Sequence, residues 1–127
     1  MKWYDLNPER LAIEKRLLAR HHRGVQLQIE KARMHVVKRI RGRYGTYVVQ
    51  GTFADQHPYS PMQFKIVSPP LKGTPPHRFP EGELCLHGPG EVGPETTAKI
   101  YLDWAQQWIQ TYEDWLDGKT WPTTNRR

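Results

Sequence analysis

One cysteine, Cys85, occurs among 127 residues. No internal disulfide can form, which excludes a small secreted scaffold stapled by disulfides and makes a reducing cytoplasm the expected location. Long apolar runs are also missing. Nothing approaches the roughly 18–20 residues that cross a bilayer. Met1-Lys2-Trp3-Tyr4-Asp5 opens no apolar stretch of signal-peptide length. No membrane partner is therefore expected. There is no internal repeat and no linker, and the length suits one domain, 1–127, and is too short for two. The residues that are present suit a folded chain. Charged residues make up 25%, too few for a disordered polyelectrolyte, and five Trp, six Tyr and three Phe can fill a core.

Charge is unevenly spread. Residues 1–43 hold 12 Lys and Arg against 4 Asp and Glu, whereas residues 44–127 hold 7 against 9. The basic half could meet an acidic protein, nucleotide or nucleic acid, or it could be an ordinary solvated helix face with polar strand edges.

Asn7-Pro8-Glu9 reads as a helix start: a capping side chain, a proline at the first helical position and an acid at the positive dipole end. Leu11, Ile13, Leu17 and Leu18 form an apolar stripe, and the helix runs to about residue 23, with Gly24 as its stop. From Val25 the period becomes two. Val25–Glu30, Met34–Ile40, Tyr47–Phe53 and Met62–Ile66 predict four antiparallel strands, with Gly42-Arg43-Tyr44-Gly45 as a turn and the first two strands dividing near residues 31–33. Residues 69–94 hold seven prolines and five glycines, which excludes a regular element. Leu71, Phe79, Leu84 and Leu86 could anchor this loop, and Cys85 lies within it. Helical period returns over 95–117, where Tyr101, Trp104, Trp108, Ile109, Tyr112, Trp115 and Leu116 recur at spacings of three and four. Glu95 starts that run, Gly118 ends it, Trp121-Pro122 is a candidate docking anchor, and a mobile tail over 123–127 is expected. Helix, meander, loop and helix make an α+β fold with helices on one sheet.

A lone cysteine is commonly a buried apolar residue. This one lies instead in a Pro/Gly-rich segment between His77 and His87, with Glu81, Glu83 and Glu91 nearby. Imidazolium neighbours favour the nucleophilic thiolate and acids oppose it. Three chemistries are open from the residues. A zinc site could use His77, Cys85 and His87, although the spacing matches no familiar pattern. A Cys–His hydrolase needs an oriented base, for which His35, His57, His77 and His87 are all eligible. A thioester carrier needs an accessible thiol, a shielded loop and a donor to the oxyanion.

Tyr47-Val48-Val49, Phe53, His57-Pro58-Tyr59-Ser60-Pro61, Met62-Gln63-Phe64, His77-Arg78-Phe79-Pro80 and Gly82-Glu83-Leu84-Cys85-Leu86, followed by a helix, resemble the core of ubiquitin-conjugating enzymes over about residues 8–117. Pro76 to Leu86 with the Trp-rich last helix more closely resembles the bacterial members found in type II cyclic-oligonucleotide antiphage (CBASS) operons. The departures are Pro-Pro-His in place of His-Pro-Asn, no Trp shortly after the cysteine, and one post-cysteine helix. The resemblance implies a ubiquitin-conjugating-like fold whose Pro/Gly loop is the active-site loop, with Cys85 as thioester cysteine and His77 in the place of the motif's Asn. His77 would donate to the oxyanion, hold the loop through a structural hydrogen bond, or do both. The cargo it implies is the C-terminus of a cGAS/DncV-like nucleotidyltransferase in antiphage defence. An activating enzyme could contact Arg10, Lys15, Arg16 and Arg20 on the first helix. No cofactor or metal is expected. The alternative is a non-catalytic scaffold that holds the nucleotidyltransferase through the basic half. A nucleic-acid module is disfavoured: no Lys/Arg–aromatic readout motif is present, and Arg39 and Arg41 read as edge protectors.

Overall fold

A computed structural model describes residues 1–79 and 81–122. The expected mobile tail, 123–127, lies outside these residues. Helices α1 (Trp3–Leu6) and α2 (Pro8–His21) precede strands β1 (Gln26–Glu30), β2 (Arg33–Arg41), β3 (Thr46–Thr52) and β4 (Gln63–Ser68), and helix α3 (Ala98–Leu116) closes the chain. The sheet has the order β1-β2-β3-β4 and every pairing is antiparallel, the meander that the alternating pattern predicts. Arg39 and Arg41 therefore sit on an interior strand, and the edge-protector reading is corrected.

The β1–β2 turn is unmarked in the sequence for a physical reason. Glu30 pairs with Arg33, leaving a two-residue loop. Its residues, Lys31 and Ala32, both adopt positive φ, 53° and 61°. Such loops usually use Asn-Gly or Asp-Gly, which tolerate that conformation. Here pairing of the flanking strands imposes it on Lys and Ala, against a local preference of about 1–2 kcal/mol per residue.

One face of the sheet packs on α3. Val36, Val49 and Phe64 meet Tyr101, Leu102, Ala105, Trp108, Ile109 and Tyr112, all buried. Phe64 stacks on Tyr101 at 5.8 Å, and Tyr47 meets Tyr112 edge-on at 6.2 Å. Trp104, Trp115 and Leu116 lie at the margin, half-buried. Trp121 docks on its own chain, 5.2 Å from the Trp108 ring.

Helix α2 departs from its apolar stripe. Asn7 caps it, its side chain accepting from the Arg10 N–H at 3.1 Å. The inward residues are Glu14 and Leu18, with Leu11 half-buried, while Ile13 is exposed. Glu14 has no solvent exposure and accepts three hydrogen bonds. These come from Arg10 Nε (2.9 Å), His57 Nε2 (2.7 Å) and the Ala98 N–H (2.9 Å), with the Arg10 guanidinium reaching on to the carbonyls of Pro94 and Thr96. The carbonyl contacts extend the cluster along the residues that lead into α3. Glu95 is not the acid at the start of α3. The helix begins at Ala98, and the carboxylate at its positive end is Glu14, supplied by α2. Arg10, read as part of an outward basic face, turns inward. α2 stops at His21 because His22 is buried, its Nε2 2.9 Å from Asp103 Oδ1 and its Nδ1 2.8 Å from Lys38 Nζ.

At the far end of α3, Glu113 accepts from the backbone N–H of Arg43 and Tyr44 and from the Tyr47 hydroxyl, each at 3.0 Å. This carboxylate clasps the β2–β3 turn. It also explains Gly42, where a Cβ would lie 2.4 Å from Glu113 Oε2. Among the described residues no helix is long and apolar enough to cross a membrane.

Two measurements check this account. Ala32→Gly should stabilise the protein by about 1 kcal/mol in urea unfolding, because it relieves the left-handed conformation; an unchanged or lower midpoint would contradict the strain. Burial pushes the Glu14 carboxyl up, but the hydrogen bonds from His57, Ala98 and Arg10 and the Arg10 charge more than offset it, holding it below its ordinary 4.5. Its contribution is complete above that value and is lost as pH falls through the lower folded value. Glu14→Ala should cost about 3–5 kcal/mol at pH 7, and the gap from wild type should narrow in strong acid.

Candidate active site

Prolines and glycines keep the described residues of 69–97 out of helix and sheet, yet hydrogen bonds tie the segment to its surroundings at several points. Its centre is a small hairpin. Arg78 and Leu84 form an antiparallel bridge, the Phe79 N–H donates to the Glu83 carbonyl at 2.8 Å, and the Gly82 N–H donates to the Phe79 carbonyl at 2.9 Å. The Leu84 N–H donates to the Phe64 carbonyl at 2.8 Å, which docks the hairpin on β4. Gly82 has φ of 95°, a left-handed conformation that glycine adopts without steric cost.

Burial alternates along the outgoing arm. Leu84 and Leu86 are buried, and Cys85 and His87 are half-buried. Two leucine anchors thus hold the thiol residue at the surface of an ordered segment. Leu71 is half-buried as well, but Phe79 is not an anchor: it is 48% exposed at the hairpin tip. The anchor expectation for Phe79 is corrected, because the bridge turns it away from the core.

The hairpin brings the backbones of His77 and Cys85 together. The Cys85 N–H donates to the His77 carbonyl at 2.7 Å, and the same carbonyl accepts the Trp108 indole N–H at 3.0 Å. His77 itself has φ of 57°, a conformation that histidine tolerates better than most residues but still disfavours. Its ring lies 5.6 Å from that of Trp121. His87 lies against Tyr101 and Trp104, with ring separations of 6.0 and 6.2 Å. Of the acids near the cysteine in sequence, Glu81 and Glu91 are exposed, and Glu91 accepts from the Gly88 N–H.

The other histidines eligible as a base are occupied elsewhere. His57 is buried against Glu14 between Trp3 and Phe53, and His35 meets Thr52 Oγ1 at 2.9 Å and Gln50 Nε2 at 3.0 Å across the sheet. Among the described residues no group of three His, Cys, Asp or Glu forms a metal-holding cluster, so the His77, Cys85, His87 set is not gathered around one point. The pairing of His77 with Cys85 follows from their eight-residue separation once a hairpin is assumed. The part played by Trp108 had no signal beyond helical spacing, which suggests only core.

Compared with family models, the sequence matches the type II CBASS E2 protein over residues 14–127. No curated protein matches it.

Gly82→Ala should strain the hairpin tip by about 1–2 kcal/mol and accelerate exchange of the Cys85 and Phe79 amide hydrogens roughly tenfold or more. Amides of α3 should keep their protection. Unchanged exchange at Cys85 would contradict a hairpin held by that glycine.

Proposed function

The chain belongs to the type II CBASS E2 family, and from that membership we propose that its E2-like role in this defence is acyl transfer through a thioester on Cys85. The observation that carries the proposal is the ordered hairpin. It presents Cys85 half-exposed between two buried leucines, with the His77 backbone bonded to the Cys85 amide at 2.7 Å. An accessible thiol on a rigid segment is what a transient acyl carrier requires. The fold is then ubiquitin-conjugating-like, one domain over 1–127 with residues 69–94 as the active-site loop.

The chemistry balances with an activated acyl donor, an acyl adenylate or a thioester on an activating protein. The Cys85 thiolate attacks the donor's carbonyl carbon, a C–S bond forms, and the leaving group departs with the bonding pair. An amine then attacks that carbon. The C–S bond breaks, the thiol is regenerated, and the amine's proton passes to solvent. In both tetrahedral intermediates the His77 imidazole donates a hydrogen bond to the oxyanion. The cargo is the C-terminus of a protein partner, a cGAS/DncV-like nucleotidyltransferase. Lys15, Arg16 and Arg20, exposed on α2, remain for an activating enzyme, whereas Arg10 is committed to Glu14. The work takes place in the cytoplasm.

Intact-mass spectrometry after co-expression with the neighbouring operon genes tests this reading. Wild type should carry an adduct labile to thiols, Cys85→Ser a more durable ester, and Cys85→Ala none. Unmodified masses in all three, beside a stable co-purifying partner, would replace the carrier with a scaffold.

A further inference from the structure

We infer that Trp108, backed by Trp121, is a positioning residue for the His77 imidazole; the inference rests on the transfer chemistry proposed above. His77 occupies a left-handed conformation in which a free loop residue would not stay. Two donors hold its carbonyl. One is the Cys85 N–H at 2.7 Å, which couples His77 to the nucleophile's own backbone. The other is the Trp108 indole N–H at 3.0 Å. A carbonyl oxygen has two lone pairs, and both are used here.

The two donors differ in what stands behind them. Cys85 belongs to the same hairpin, on the arm that Leu84 and Leu86 anchor. Trp108 has no solvent exposure and sits in the middle of α3, packed on Tyr112 at 5.5 Å and Trp121 at 5.2 Å. The indole therefore ties the His77 carbonyl directly to the rigid core. Trp121, 5% exposed, lies against both Trp108 and the His77 ring, which closes the far side of the imidazole's seat. With the 77–78 peptide held by its carbonyl and one ring face covered, the imidazole has few directions left. Without the indole donor the 77–78 peptide keeps the Cys85 N–H as its tether and can turn about that one bond, which lets His77 relax toward negative φ and redirects the imidazole while Cys85 stays on its leucine anchors. Trp108 touches no reacting atom and acts only through His77.

A double-mutant cycle separates this role from ordinary core packing. Cys85 is charged with an acetylglycine thioester and discharged to hydroxylamine in single turnovers, with loss of the acyl mass followed in wild type, Trp108→Phe, His77→Ala and the double variant. Phe keeps most of the ring and removes the donor. Trp108→Phe should discharge at least tenfold more slowly when His77 is present and show no further slowing in the His77→Ala background. Alkylation of Cys85 by iodoacetamide should stay within twofold throughout. His77→Asn, which tolerates the left-handed region and retains a donor, should keep most of the wild-type rate. Equal slowing with and without His77, or none at all, overturns the positioning role while leaving the carrier intact. If Trp108→Phe does not fold, Trp121→Leu takes its place in the cycle with the same criteria. If wild type cannot be charged on Cys85, the transfer reading fails and this inference with it.

Discussion

A carboxylate without solvent contact, that of Glu14, is the point from which the arrangement of the protein follows. Taking an ionised group out of water is costly unless its lone pairs are filled and an opposite charge stands near it. Arg10, His57 and the first N–H of α3 fill them, and the guanidinium extends the cluster to Pro94 and Thr96. Three separate stretches of chain must therefore meet where α2 crosses the start of α3. The contact caps α3 from outside its own sequence and closes the long loop at its C-terminal end. Because α3 is a rigid element, its starting point also decides where Trp108 lies, three turns on, and so where the loop is held at His77.

Glu113 repeats the device at the opposite end of α3. Burial pushes this carboxyl up, and the N–H groups of Arg43 and Tyr44, the Tyr47 hydroxyl and the Arg43 charge hold it below its ordinary value. The long helix is thus clamped to the chain by one carboxylate near each terminus. Some charges of the basic half are paired within the fold. Arg10 from the basic half is neutralised by Glu14, Arg43 pairs with Asp114 and Asp117 at 3.0 Å each, and His22 faces Asp103. Arg43 joins the β2–β3 turn to the end of α3 in a network of surface ion pairs. Lys15, Arg16 and Arg20 stay outside it.

The cysteine segment shows how a stretch poor in regular structure can still be rigid. Its proline content prevents a ladder of strand hydrogen bonds, so it is held by single bonds to elements that are regular. β4 supplies the Phe64 carbonyl, α3 supplies the Trp108 indole, and α2 supplies Arg10. The loop's order comes from these tethers and not from local propensity.

Local patterns in the sequence determined the order of elements and the sheet. Alternating residues such as Met34, Val36 and Ile40, or Tyr47 and Val49, bury one face whatever the wider context, since the strand period is two. Asn7-Pro8 starts α2 by the same local logic. Cys85 stood out because it lies in a Pro/Gly-rich segment and not on a periodic apolar face, within recognisable flanking residues. Tertiary structure alone decided the rest. Glu14, Glu113 and His22 have polar side chains that any pattern assigns to solvent, and they are inside only because partners distant in sequence satisfy them. Lys31 and Ala32 turn because strand pairing outweighs their own preference. Trp108 looks like core by its spacing, and it is core. Its indole N–H reaches the residue paired with the cysteine only once the loop has folded across the helix.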